Sequence, residues 1–116
     1  MDLEAVRRYC LSLPHATEGI QWQHDLLFRI AGKIFAVVNL EQVPNGISFK
    51  CTTQEFAELI EREGITPAAY MARNHWVTLE NFGVLPRSEL KRLIHDSYRM
   101  VAAKLPKKVK KQLGLE

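Results

Sequence analysis

Two cysteines, six glycines and five prolines are all that these 116 residues contain of those types, and little that would announce a chemistry is present. Cys10 and Cys51 stand far apart, each in an apolar pattern and neither in a CxxC pair. They read as buried free thiols rather than as a disulfide framework or a zinc site. The four histidines, His15, His24, His75 and His95, share no i, i+3 or i, i+4 spacing, so no helical metal site is spelled out. The glycines are scattered singly, which leaves no phosphate-cradling loop, and no GxSxG turn surrounds a serine. No apolar run approaches the roughly 20 residues of a membrane span. The acidic start at Asp2 and Glu4 is unlike the basic-then-apolar form of a secretory leader. These absences argue for a cytoplasmic protein that is not an enzyme and holds neither metal nor cofactor.

What is present is an ordinary globular composition, 47% hydrophobic and 25% charged. The length suits one domain over residues 1–116, able to bury about two thirds of its unfolded surface without staples. The net charge of +3 is unevenly placed. Residues 1–105 hold 12 basic and 12 acidic side chains, whereas the tail 106–116 holds Lys107, Lys108, Lys110 and Lys111 against Glu116. The basic character is thus a property of the C-terminal tail, not of the body.

Residues 2–13 predict a helix, with Leu3, Val6, Cys10 and Leu13 forming one stripe and Asp2 as N-cap. A loop follows over 14–19, and 20–23 adds a short strand. Residues 26–30 and 33–40 are rich in Phe, Ile, Val and Leu and are joined by Ala31-Gly32, which predicts a hairpin. The run 47–51 alternates, with Ile47, Phe49 and Cys51 inward and Ser48 and Lys50 outward. Thr52 and Glu55 fit a capping box for a second helix, with Gly64 at its C-terminal stop. The segment 68–72 is a short strand or a turn, 75–80 a strand, and 82–83 a loop. The longest helix carries Leu90, Leu93, Ile94, Ser97, Val101 and Leu105 at helical spacing until Pro106; residues 107–113 then form one short helical turn. The order helix, three strands besides the short 20–23, helix, one or two strands, helix predicts an α+β two-layer sandwich, with helices on one face of an antiparallel sheet. The other face should carry Arg29, Ser48, Lys50, Trp76, Thr78 and Glu80.

Two stretches attract a functional reading. In 73–76, Arg73, His75 and Trp76 stand together, and Trp76 alternates away from the inward Val77 and Leu79. A tryptophan so placed is either packed beneath its own preceding loop or offered to a partner, where it can stack on a base while basic neighbours meet phosphates. In 104–111, Lys104, Lys107, Lys108, Lys110 and Lys111 fall within eight residues. Such a run contacts phosphates without reading sequence, or else simply solubilises a terminal helix. Lys50 and Arg99 extend the positive charge.

Tyr9, Cys10, Leu13 and Pro14, the hairpin core 28–38 and the strand 47–50 also form part of a longer pattern. Pro67, Tyr70, His75, Trp76 and Val77 follow, then Ser97-Tyr98 and Lys104-Leu105-Pro106-Lys107. In this order and spacing the chain resembles the MmcQ/YjbR family of small bacterial proteins over residues 2–112. The resemblance implies a CyaY-like, secretion-chaperone-like domain of order α-β(3)-α-β(2)-α. It also implies DNA binding, through projecting hairpin wings, without enzyme activity. Iron binding, as in frataxins, does not carry over, because the first helix sets Arg7 and Arg8 against Asp2 and Glu4. The expectation is therefore a DNA-binding protein using Lys50, Arg73, His75, Trp76, Arg99 and the five lysines of 104–111. The alternative is a protein-interaction or chaperone-like module, or a homodimer, working through the open sheet face. A third reading is a small-molecule sensor with a pocket near Tyr70 and Trp76.

Overall fold

The computed structural model describes residues 1–69 and 71–115. Tyr70, a position of the family pattern, lies outside the described residues. The first helix, α1 (Leu3–Ser12), starts where expected: the Asp2 carboxylate accepts the Ala5 N–H at 2.8 Å, and Val6 and Cys10 face inward. Four strands follow: β1 (Ala16–Gln21), β2 (Asp25–Ile30), β3 (Lys33–Asn39) and β4 (Gly46–Lys50). Then come α2 (Thr53–Leu59), β5 (Ile65–Pro67), β6 (Trp76–Leu79), α3 (Arg87–Ala103) and α4 (Lys107–Leu113). The strands make one sheet of order β1-β2-β3-β4-β6-β5, antiparallel throughout. No helix among the described residues is long and apolar enough to cross a membrane.

The expected α+β architecture is present, with local differences. β1 occupies six residues from Ala16, including most of the stretch expected to be loop, and it forms the sheet edge. Its Ala-Thr-Glu-Gly start has little β propensity, and the ladder to β2 supplies the order instead. Trp22 and Gln23 belong to the turn, at φ 53° and 69°, not to the strand. Gly64 does not stop α2, which ends at Leu59 with Ile60 as C-cap; its φ of 86° serves the turn into β5. The segment 68–72 contains no strand among its described residues, and a 3₁₀ turn spans Ala72–Asn74. The capping box at Thr52 and Glu55 is formed.

The hydrophobic effect supplies the layer order, because each strand is apolar on the face that meets the helices. Phe28, Ala36, Phe49 and Val77 stand in one row across β2, β3, β4 and β6, and Leu26, Val38, Ile47 and Leu79 in the next. All are buried against Leu90, Leu93, Ile94 and Tyr98 of α3 and Val6 and Cys10 of α1.

The register slips once. Phe28 pairs with Ala36 but Arg29 pairs with Ile34, so Phe35 is an extra residue in β3. The bulge lets Phe35 and Ala36 both be buried. Past the bulge the β3–β4 ladder stops at Ala36–Phe49. Two backbone groups are stranded there, and Ser97 of α3 serves both. Its hydroxyl donates to the Phe35 carbonyl at 2.7 Å and accepts the Lys50 N–H at 3.0 Å. Ser97 is 0% exposed, the one buried polar side chain among the described residues. Next to it, the Tyr98 hydroxyl donates to the Pro14 carbonyl at 2.7 Å and its ring meets Phe35 edge-on. Replacing Ser97 with Ala would leave the buried Phe35 carbonyl and the part-buried Lys50 N–H without this partner. Urea unfolding of Ser97→Ala is expected to show about 2–4 kcal/mol less stability. Ser48→Ala, on the opposite face, is expected to cost under about 1 kcal/mol.

Candidate functional site

Where β3 begins, β4 ends and β6 begins, the sheet opens into a cleft of about 440 Å³. Lys33, Lys50 and Lys104 line it, with Asn74, Trp76, Ile34 and Val101. The three lysines come from three elements: the first residue of β3, the last of β4 and the C-cap of α3. Among the described residues, no carboxylate lines this cleft. The Lys50 ammonium donates to the Asn74 carbonyl at 2.9 Å. Burial pushes its pKa down, and the nearby positive charge of Lys104 pushes the same way.

The excess charge here is local. Among the described residues, the ion pairs engage Arg7 with Glu4 and Glu18, Arg62 with Glu89, Arg92 with Glu55 and Asp96, and His24 with Glu41. None reaches Lys33, Lys50, Lys104, Arg73 or Arg99. Within a body that is neutral by count, three lysines are thus gathered without ion pairs among the described residues at the end of the sheet.

The structure brings together Lys50, Trp76 and Lys104 of the residues expected from sequence, and adds Lys33 and Asn74. Trp76 does stand opposite Lys50, on the face away from the helices. Yet it is only 5% exposed. The preceding loop is tied over its strand, with Ala68 N–H donating to the Trp76 carbonyl at 3.0 Å and Trp76 N–H to the Met71 carbonyl at 3.3 Å. The indole is therefore a wall of the cleft, not a free stacking face. His75 also leaves the groove. At φ 63° its carbonyl accepts the N–H and the thiol of Cys51 at 2.9 and 3.3 Å, and its ring lies edge-on to Phe56 at 5.6 Å. Arg73 is exposed on the 3₁₀ turn beside Asn74. Arg99 is elsewhere, with Lys110 in a shallow cavity of about 560 Å³ beside α3 and α4. The Lys110 ammonium donates to the Ala103 carbonyl at 3.2 Å, closing the end of α3, while Lys107, Lys108 and Lys111 are exposed on α4.

Sequence reasoning passed over the exposed tryptophan. Trp22, at the tip of the β1–β2 hairpin, is 65% exposed. It stands at the rim of a second cavity of about 440 Å³ on the helix-free face, floored by Leu27, Val37, Ser48 and Thr78 and walled by Ala68, Ala69 and Met71. That face is recessed rather than flat. The cysteines offer no nucleophile: burial pushes the Cys10 thiol up to about 12 and the Cys51 thiol up to about 11, so both stay protonated.

Comparison with known proteins finds the YjbR family model matching residues 11–100. The Escherichia coli (strain K12) protein YjbR is 26% identical over 117 residues, covering 97% of this chain and 98% of its own. The crystal structure of Deinococcus radiodurans protein DR2400 is similar over 99% of this chain and 89% of its own, with a TM-score of 0.89 and 28% identity. A Pseudomonas syringae protein shares the fold, with a TM-score of 0.73 and 22% identity over 87% of this chain and 99% of its own.

The cleft electrostatics can be checked by titrating the Lys50 side chain by NMR. It is expected to lose its proton below the ordinary lysine range, and Lys104→Gln to move it partly back up, burial accounting for the remainder. Because the folded pKa is the lower one, the unfolded chain keeps this proton to higher pH. The contribution of Lys50 to stability therefore rises with pH through the window between the depressed and ordinary values.

Proposed function

The chain belongs to the YjbR family, and from that premise we propose that it is a DNA-binding protein without catalytic activity. It grips phosphates with Lys33, Lys50 and Lys104 at the end of the sheet and with the exposed lysines of α4. The observation that carries this reading is the cleft lined by three lysines and, among the described residues, no carboxylate. Holding like charges together costs free energy in the free protein, and an anion in the cleft relieves it. DNA offers such anions in series, one charge per about 1.7 Å of helix axis. Lys107 follows Lys104 by three residues, and the exposed lysines of α4 are proposed to extend the contact beyond the cleft. Lysines provide phosphate contacts, which position a duplex without reading its sequence. As a DNA-binding protein it acts in the bacterial cytoplasm.

Binding of a labelled random duplex, followed by anisotropy between about 50 and 200 mM salt, tests this. Affinity is expected to fall steeply with salt. The combined Lys33→Ala, Lys50→Ala and Lys104→Ala variant should weaken binding and flatten the salt slope by about 0.9 for each phosphate that is no longer neutralised. Removing the charges of Lys107, Lys108 and Lys111 should flatten it further, while Arg8→Ala on α1 should leave it unchanged. Undetectable binding at the lowest salt, or a slope indifferent to the three cleft lysines, would sink the proposal.

A further inference from the structure

The helix-free sheet face carries a site of different chemistry. We infer that its groove binds a small, largely apolar organic cation such as an aromatic amine, its body on the aliphatic floor and against Trp22 and its ammonium toward Asp25.

The register builds the floor. Leu27, Val37, Ser48 and Thr78 stand in one row across β2, β3, β4 and β6. Leu27 is 0% exposed although the helices pack on the other side, so this row lies at the bottom of a depression. The cavity of about 440 Å³ is of a size that encloses a small molecule. Its walls are the loop residues Ala68, Ala69 and Met71 on one side and the hairpin tip on the other.

The polar groups of the groove are mostly spoken for. The Ser48 and Thr78 hydroxyls pair with each other at 2.7 Å, and the Asn39 side-chain oxygen accepts the N–H groups of Glu41 and Gln42 at 3.0 and 3.3 Å. The floor therefore accepts an apolar body at little desolvation cost. Among the described residues, Asp25 is the one charged side chain lining the groove. It is half-buried, and its carboxylate makes no hydrogen bond or ion pair among the described residues. Arg29 shares this face but does not line the groove; its guanidinium donates to the Gln21 side-chain oxygen at 2.8 Å, toward the edge strand. The groove thus favours a cation and disfavours an anion, the reverse of the lysine cleft.

Trp22 provides the remaining element. A bulky side chain at φ 53° is strained by about 1 kcal/mol or more, which glycine at this position would avoid. The turn instead holds an indole 65% exposed at the groove rim. An aromatic face beside a carboxylate is a recognition pair for an organic ammonium.

Three probes of one shape, naphthylmethylammonium, naphthylmethanol and naphthoate, separate the possibilities when amide shifts are followed by NMR. Naphthylmethylammonium is expected to shift Leu27, Val37, Ser48 and Thr78 saturably. It should bind roughly tenfold tighter than naphthylmethanol, and naphthoate weakest. Val37→Phe fills the floor and should weaken every probe at least about tenfold while thermal unfolding stays cooperative. Asp25→Asn should bring the ammonium down to the level of the alcohol with the alcohol unchanged. Equal binding of naphthoate, shifts centred on the lysine cleft, or no saturable shift overturns the inference. So do shifts of this face that depend on protein concentration without probe, since a second copy would then be the occupant.

Discussion

The Ser97 hydroxyl meets a problem that the sheet creates for itself. A bulge at Phe35 ends the β3–β4 ladder early and leaves a carbonyl and an N–H facing a gap inside the molecule. Buried backbone groups without partners are costly, so the gap is tolerated only because α3 offers one side chain that donates and accepts at once. The same contact locates α3 along the sheet. Lys104 follows Ser97 by seven residues, about two helical turns, and so overhangs the end where β3 and β4 separate. Lys33 and Lys50 are the outer residues of those two strands. The lysine cleft is thus a consequence of how a buried polar gap is closed.

The loop after β5 links this cleft to the groove on the open face. Ala68, Ala69 and Met71 wall the groove, whereas Asn74 and Trp76, a few residues on, wall the cleft. Between them His75 turns a left-handed corner held by Cys51 and Phe56. Two cavities of opposite electrostatic preference therefore share one short stretch of chain, which fits a tryptophan that is structural and a histidine that is a hinge post.

Much of the fold was legible because it rests on local rules. Helical spacing, the Asp2 cap, the Thr52 capping box and the alternation 47–51 each depend on neighbours in sequence, and the facing of Lys50 and Trp76 follows from alternation alone. Ser97 showed as a position in the stripe of α3, but its partners are 47 and 62 residues away. What was not legible was non-local. Whether Trp76 is covered depends on the path of the loop at 68–74, and Lys33 joins the cleft only because a bulge shifts β3 by one residue. β1 escaped because an edge strand with Gly19 is ordered by its ladder rather than by its own propensity. Trp22 was placed in that strand, and its exposure at the turn had no local signal beyond the missing turn glycine.

In the proposed function, the end of the sheet closed by Ser97 is the phosphate-binding surface. Mapping amide shifts of the protein on titration with a short random duplex tests it most directly. Shifts are expected to concentrate at Lys33, Ile34, Lys50, Asn74 and Lys104 and to continue into α4, with Leu27, Val37 and Thr78 unmoved. Shifts centred on the groove floor or on α1, with the sheet end silent, would contradict it.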